Sequence, residues 1–256
     1  MIRVGVIGAT GRVGAEVCRA VHADADMQLV AGISRSKAGE KAADALGLEG
    51  SDLVLAENLD SFVESGVEVA VDFTSGDYAP EHVAWAIEHG VHIVVGTTGF
   101  EVDEAWRDAP VGVVVASNFA IGAVLMQRFA VEAARHLPAV EIVELHHEGK
   151  ADAPSGTAAA TADAVAAARE EAWAGPSGES VPGVRGGDRG GVRIHSIRLP
   201  GLVAHQEIIF GGQGQTLTIR HDSTDRTSFV PGVLMAIRWV GSHPGLTVGL
   251  NAILRG

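Results

Sequence analysis

The chain opens with a short aliphatic strand, Val4 to Ile7, that runs directly into Gly8-Ala9-Thr10-Gly11-Arg12-Val13-Gly14 and then into a segment of helical period, Arg12 to His22. Few sequence features restrict a fold as much as three glycines spaced this way between a strand and a helix. The first permits a tight turn, the second lets the backbone approach a ligand without a Cβ in the way, and the third lets the helix pack close to the strand. The exposed N–H groups and the positive end of that helix favour a diphosphate. A βαβ unit that binds a dinucleotide through Gly8, Thr10, Gly11, Arg12 and Val13 is therefore expected.

Up to about Ser117 the chain alternates aliphatic runs with helical segments, the pattern of a parallel sheet covered on both faces. The expected strands are Val4 to Ile7, Gln28 to Ile33, Val67 to Phe73, His92 to Gly96 and Val111 to Ala116. Helices are expected at Arg12 to His22, Ala79 to His89 and Val102 to Trp106. This is a Rossmann-like, doubly wound α/β fold. Beyond a connecting helix, Ile121 to His136, the texture changes. A strand, Ala139 to His146, leads to an alanine-rich helix, Thr157 to Trp173, and a Gly/Pro-rich loop, Gly175 to Gly191. Three further strands follow: Val192 to Leu199, Leu202 to Phe210 and Gln215 to His221, the last two joined by Gly211-Gly212-Gln213-Gly214. Strands in succession without helices imply an α+β domain with a mixed or antiparallel sheet. Phe229 to Val240 and the segment ending at Leu254 read as helices. The expected division is residues 1–117 with 229–256 as a dinucleotide-binding domain, and 118–228 as a substrate-binding and oligomerisation domain.

Charge and cysteine usage narrow the function. A net charge of −13 repels a phosphate backbone, so a nucleic-acid role is not expected, and any anion must be held by local cations, amides and helix ends. The single cysteine, Cys18, excludes an intrachain disulfide and sits at helical spacing with Val13, Val17 and Val21, a core position. With no secretory leader and no apolar run near the roughly 18 residues that span a bilayer, a cytoplasmic protein without a membrane partner is expected.

Three further segments carry chemistry. At the end of the second strand stands Ser34-Arg35-Ser36-Lys37, where many NAD sites have an acid that binds the ribose 2′-hydroxyl. A hydroxyl beside a guanidinium accepts a 2′-phosphate instead, which favours NADPH and still tolerates NADH. Gly96-Thr97-Thr98-Gly99 and Ala116-Ser117-Asn118-Phe119 end later strands on the ligand-binding edge of the sheet and are candidates for the nicotinamide end. The densest group is Glu144-Leu145-His146-His147-Glu148-Gly149-Lys150-Ala151-Asp152-Ala153-Pro154-Ser155-Gly156-Thr157. Consecutive histidines at a strand end point to opposite sides, so a shared metal site is not expected. Pro154 to Thr157 has the make-up of an anion site at a helix start, with Ser155 or Thr157 as cap.

The His-His-x-x-Lys-x-Asp-Ala-Pro-Ser-Gly-Thr-Ala run resembles the signature of the dihydrodipicolinate reductase family. The resemblance extends to the glycine turn, Asp72-Phe73-Thr74, Gly96 to Gly99, Asn118-Phe119, Arg198 to Phe210 and Asp225 to Phe229. Leu199 to Phe210 and Thr216 to Leu234 are most similar to its actinobacterial branch. It implies an NAD(P)H-dependent reduction of 4-hydroxy-tetrahydrodipicolinate, by way of dihydrodipicolinate, to tetrahydrodipicolinate in the diaminopimelate route to lysine, by a homotetramer assembled through its C-terminal sheets. It also implies His146 as general acid or base, Lys150 as proton donor, and His147, Gly156 and Thr157 as ligands of a small dicarboxylate substrate. Elementary chemistry agrees: hydride addition to a conjugated imine leaves negative charge that an ammonium stabilises and protonates.

Three positions depart from the family pattern. Gly149 stands where His is frequent, Gly76 where Pro is, and Ser34 where an acid is; the second is expected to loosen a wall near the nicotinamide, the third to move preference toward NADPH. Two other readings share the first half of the chain: a different Rossmann-fold dehydrogenase acting on an amino-acid-derived carboxylate, and a non-catalytic dinucleotide sensor. A phosphorylating semialdehyde dehydrogenase needs a cysteine nucleophile that Cys18 does not supply, and a sensor has no use for Lys150 or for Ser155 to Thr157.

Overall fold

Aliphatic runs that are buried on both faces become the strands of the first sheet. In the computed structural model, which describes residues 1–171, 173–176 and 178–255, the elements follow in this order. The first part contains β1 (Ile2–Ile7), α1 (Gly14–Ala23), β2 (Met27–Ile33), α2 (Ala42–Leu46), α3 (Asp60–Glu64), β3 (Val69–Asp72), α4 (Ala79–Glu88), β4 (His92–Val95) and β5 (Gly112–Val115). The middle contains α5 (Ile121–Ala134), β6 (Ala139–His146), α6 (Gly156–Ala168), β7 (Gly187–Arg189), β8 (Val192–Arg198), β9 (Ala204–Gly212) and β10 (Gln215–Ser223). The chain ends with α7 (Val230–Val240), β11 (Gly245–Val248) and α8 (Leu250–Ile253). It divides into two compact units, Met1–Ile121 with Arg226–Gly256, and Gly122–Asp225.

The first unit is a six-stranded parallel sheet in the order β11-β5-β4-β3-β1-β2. Every residue of β3 and β5 is buried, as a sheet covered on both faces requires. The chain leaves β1 for β2 on one side and then crosses to β3 on the other. The carboxyl ends of β1 and β3 therefore frame the switch point at which such sheets bind ligands. Phe62, Val83, Ile93, Val113 and Trp106 fill the core on one face. Cys18 is fully buried in α1, and burial pushes its thiol up to about 12, so it is a core residue with no nucleophilic use.

Two features of this unit differ from the sequence reading. Val102 to Trp106, expected as a helix, contributes only a 3-10 turn over Glu104–Asp108. The four residues of β11 are few and start at a glycine, so they carry no strand pattern in sequence, yet they pair with β5 from Gly245↔Gly112 to Val248↔Val115 as an edge of the sheet.

The second unit carries a five-stranded sheet, β10-β9-β6-β8-β7, in which only β6 and β8 run parallel. That parallel pair exists because α6 lies between them in sequence, giving the long crossover that a parallel connection needs. The alanines of α6 pack with Ile142, Ile208 and Phe210. β9 lies two residues later than expected at both ends, β10 runs two residues longer, and they meet at a two-residue turn, Gln213-Gly214, with Gly214 at φ +71°. Helix α6 stops at Ala168, short of the expected Trp173. Arg169 turns extended, and its guanidinium donates to the carbonyls of Pro138 at 3.0 Å and Gly190 at 2.9 Å, a tertiary contact that outcompetes continued helix. The expected helix also included residue 172, and the expected loop residue 177, both outside the described residues. β7 occupies part of that loop. Among the described residues no helix is long and apolar enough to cross a membrane.

Candidate active site

The glycine turn is closed on itself. Gly8 takes a left-handed φ of +78°, and a Cβ there would stand 2.7 Å from the Phe73 carbonyl oxygen. The Gly11 amide donates to the Gly8 carbonyl at 2.9 Å. A Cβ on Gly14 would come within 2.1 Å of that same Gly8 oxygen, so the start of α1 can lie against the turn only as glycine. Val13 caps α1 without a side-chain bond, and Arg12 is exposed beside it. This cradle of amides at a helix start fits a diphosphate.

The neighbouring segments sit on the same carboxyl edge of the sheet. Ser34, at the end of β2, is buried, and its hydroxyl lies 2.6 Å from that of Thr10, tying the strand end to the glycine turn. Arg35 is exposed and turns to Tyr78, donating from Nη1 to the phenol oxygen at 3.3 Å with its guanidinium 4.9 Å from the ring centre. Beyond β4, a Cβ on Gly96 would strike the Phe73 ring at 2.1 Å. The Thr97 hydroxyl is committed internally, donating to Asp72 Oδ1 at 2.7 Å and accepting from the Thr74 amide at 2.8 Å, while Thr98 is exposed. After β5, the Ala116 amide donates to the Val95 carbonyl and Ser117 is exposed. Asn118 Oδ1 accepts from the Ala120 amide, and Phe119 is buried with its ring 6.0 Å from that of Phe73. The expected looseness at Gly76 is absent: a Cβ there would lie 2.4 Å from the Gly99 carbonyl, so glycine permits a close contact rather than leaving a gap.

In the second unit the two-residue period of β6 puts Glu144 and His146 on one face. Glu144 is completely buried, and His146 Nδ1 lies 2.5 Å from its Oε2. Arg198, at the end of β8 and in register with His146, donates to both Glu144 oxygens at 2.9 and 2.8 Å; the Ser155 amide adds a bond at 3.2 Å. Burial pushes the Glu144 carboxyl up, but hydrogen bonds from His146, Arg198 and Ser196 outweigh it and bring it down to about 2. The same Arg198 donates to the carbonyls of Lys150 and Asp152, so one guanidinium fixes the carboxylate and the loop behind it. The Lys150 ammonium pairs with the exposed Asp152 carboxylate at 2.7 Å and holds that carboxyl below its usual range. His147 lies past the strand end, and its carbonyl accepts from the Lys150 amide at 3.1 Å.

Of the two candidate caps, Ser155 takes the role, accepting from the Ala158 amide at 3.1 Å. Gly156 starts α6 with nothing within 4 Å of where a Cβ would stand, so no side chain crowds the helix start there. The Thr157 carbonyl accepts from Thr161 and Gln127 on the opposite side. The structure thus brings His146 and the start of α6 onto one carboxylate, and ties the Lys150 loop to it through Arg198. Sequence reading placed Glu144 in this segment without a role and named Arg198 only as the start of a stretch. An acid two residues before a histidine on an aliphatic strand, and so on the same face, is a signal for the first; the second needs the β6–β8 register.

A family model described as dihydrodipicolinate reductase, N-terminus, matches residues 2–119, and one described as dihydrodipicolinate reductase, C-terminus, matches residues 122–254. The 4-hydroxy-tetrahydrodipicolinate reductase of Nocardia farcinica is 50% identical over 264 residues, covering 99% of this chain and 98% of its own. That of Mycolicibacterium smegmatis is 50% identical over 262 residues, with 99% of each covered. A dihydrodipicolinate reductase from Paenisporosarcina sp. TG-14, solved with dipicolinate bound, superposes with a TM-score of 0.86 at 40% identity over 99% of both chains. An amine dehydrogenase from Mycobacterium smegmatis, at 15% identity and a TM-score of 0.66, shares the fold.

Proposed function

The chain belongs to the dihydrodipicolinate reductase family, and from that premise we propose that it reduces 4-hydroxy-tetrahydrodipicolinate, by way of dihydrodipicolinate, to tetrahydrodipicolinate in the diaminopimelate route to lysine, preferring NADPH over NADH. The bound nicotinamide dinucleotide supplies the hydride. Gly8, Thr10, Gly11, Arg12 and Val13 hold its diphosphate at the start of α1. Arg35 meets the 2′-phosphate, and buried Ser34 keeps the end of β2 against the turn. Gly96, Thr97 and Thr98 with Ala116, Ser117, Asn118 and Phe119 hold the nicotinamide end, where Thr98 and Ser117 offer exposed hydroxyls and Thr97 acts through Asp72. The absence of an acid at the end of β2 supports the NADPH preference, because nothing there repels a 2′-phosphate.

The substrate is a small dicarboxylate. His147, Gly156 and Thr157 bind its carboxylates at the amide end of α6, where the helix dipole favours negative charge. Reduction adds one hydride and one proton. The Lys150 ammonium, paired among the described residues with an exposed carboxylate, exchanges that partner for the substrate, stabilises the charge that builds on the ring and donates the proton. His146, with Nδ1 engaged by Glu144, has Nε2 left for proton exchange and assists loss of the 4-hydroxyl as water. The observation that carries this reading is that buried Glu144 holds His146 and the Ser155 amide at the α6 start, while Arg198, bonded to the same carboxylate, also holds the Lys150 backbone. Neither a sensor nor a dehydrogenase relying on a cysteine nucleophile has a use for it.

The test is NADPH oxidation on adding the condensation product of pyruvate and aspartate semialdehyde near neutral pH. A fall in absorbance at the nicotinamide band is expected, and none would sink the proposal. His146→Ala and Lys150→Ala are each expected to lower kcat by about a hundredfold or more, with NADPH affinity within about twofold of the parent. Lost NADPH affinity with retained turnover would contradict the assigned roles.

A further inference from the structure

Tyr78 is the only tyrosine in the chain, it is exposed at the start of α4, and the sequence reading gave it no function. Its surroundings form a continuous set of contacts from the sheet edge outward. Asp72, fully buried at the end of β3, grips His82 Nδ1 at 2.5 Å. The His82 ring lies nearly parallel to that of Tyr78, one helical turn earlier, at 6.4 Å between centres and 22° between planes. On Tyr78 rests the Arg35 guanidinium, bonded to the phenol oxygen and 4.9 Å from the ring centre. An exposed arginine is thereby anchored through two rings to a carboxylate in the core.

The chemistry of the anchor matters as much as its rigidity. Among the described residues no carboxylate lies within ion-pair distance of Arg35, although the chain carries a net charge of −13. A neutral phenol holds the guanidinium by ring quadrupole and one hydrogen bond, and leaves its charge unneutralised. The bond to Tyr78 uses one N–H of five, so a fork edge stays available to a phosphate that accepts two. A guanidinium held in place beforehand loses less rotamer freedom on binding than a mobile one.

We propose that Tyr78 is the positioning residue for Arg35, and through it a determinant of coenzyme selectivity: it presents the guanidinium, fixed and unpaired, to the 2′-phosphate of NADPH. This rests on the reading that Arg35 meets that phosphate. The measurement is the ratio of kcat/KM with NADPH to kcat/KM with NADH in the full-length protein, together with Kd for 2′,5′-ADP and for 5′-ADP. The variants are Tyr78→Ala, Tyr78→Phe, Arg35→Ala and the double Tyr78→Ala/Arg35→Ala.

Tyr78→Ala is expected to lower the ratio and the 2′,5′-ADP preference by about threefold to tenfold, Tyr78→Phe by less, because it keeps the ring and loses only the hydroxyl. In the Arg35→Ala background, Tyr78→Ala is expected to change the ratio by less than about 1.5-fold, since its effect runs through Arg35. If Arg35→Ala lowers the ratio and Tyr78→Ala does not, the Tyr78 proposal falls and the 2′-phosphate reading stands. If neither lowers it, the 2′-phosphate reading itself fails. An equal effect of Tyr78→Ala with and without Arg35 would show that Tyr78 touches the coenzyme directly and overturn the positioning role.

Discussion

Glu144 shows how much one buried charge can organise. A carboxylate with no exposure is tolerable only when its charge is met on every side. Here His146, two Arg198 nitrogens and the Ser155 amide do so, and hydrogen bonds from His146, Arg198 and Ser196 hold its carboxyl down to about 2, below the ordinary 4.5. Because the folded value is the lower one, the stabilisation is complete above about 4.5 and is lost as pH falls toward 2. The urea midpoint is expected to drop across that window, and Glu144→Gln to flatten the drop. At pH 7 the same variant is expected to lose about 3 kcal/mol, since Arg198 is left without its charge partner. A variant with the parental acid slope would show that another group is responsible. Glu144 was readable as an acid beside a histidine; Arg198, 54 residues away, was not.

At the scale of elements, the glycine turn separates fold from binding. A Cβ on Gly14 collides with the Gly8 carbonyl at 2.1 Å, whereas one on Gly11 meets the same oxygen at 3.1 Å with nothing else nearer than 3.7 Å. Gly14→Ala is therefore expected to shift α1 off the turn, lowering both the thermal midpoint and NADPH affinity. Gly11→Ala is expected to lower NADPH affinity by about tenfold with a much smaller change in midpoint, because its methyl enters the space of the diphosphate. Equal loss of stability in both would mean that Gly11 serves the turn alone. Most strands could be located from their aliphatic runs to within a residue or two. The end of α6 could not, because Arg169 leaves the helix for carbonyls of the 138 and 190 loops, contacts that local propensity does not encode.

For the whole molecule, β10 is an edge strand with an exposed face on which Leu217 is 41% accessible. A long edge of this kind invites pairing with another chain. We expect the second unit to assemble four copies through these sheets, giving about 106 kDa from a 26.4 kDa chain in sedimentation equilibrium. Leu217→Lys is expected to weaken that assembly; a 26.4 kDa species for the parent would exclude it.

What the sequence determined by itself was local. Three glycines between a strand and a helix, a cap at a helix start, and a histidine pair followed by lysine are read along the chain because their chemistry depends on near neighbours. Tertiary structure decided the rest: that β11 completes the first sheet beside β5, that Arg198 meets Glu144 across the β6–β8 register, and that Arg35 rests on Tyr78 instead of on a carboxylate. Each of those depends on which backbone lies beside which, and that is set by burial of whole faces rather than by any one segment.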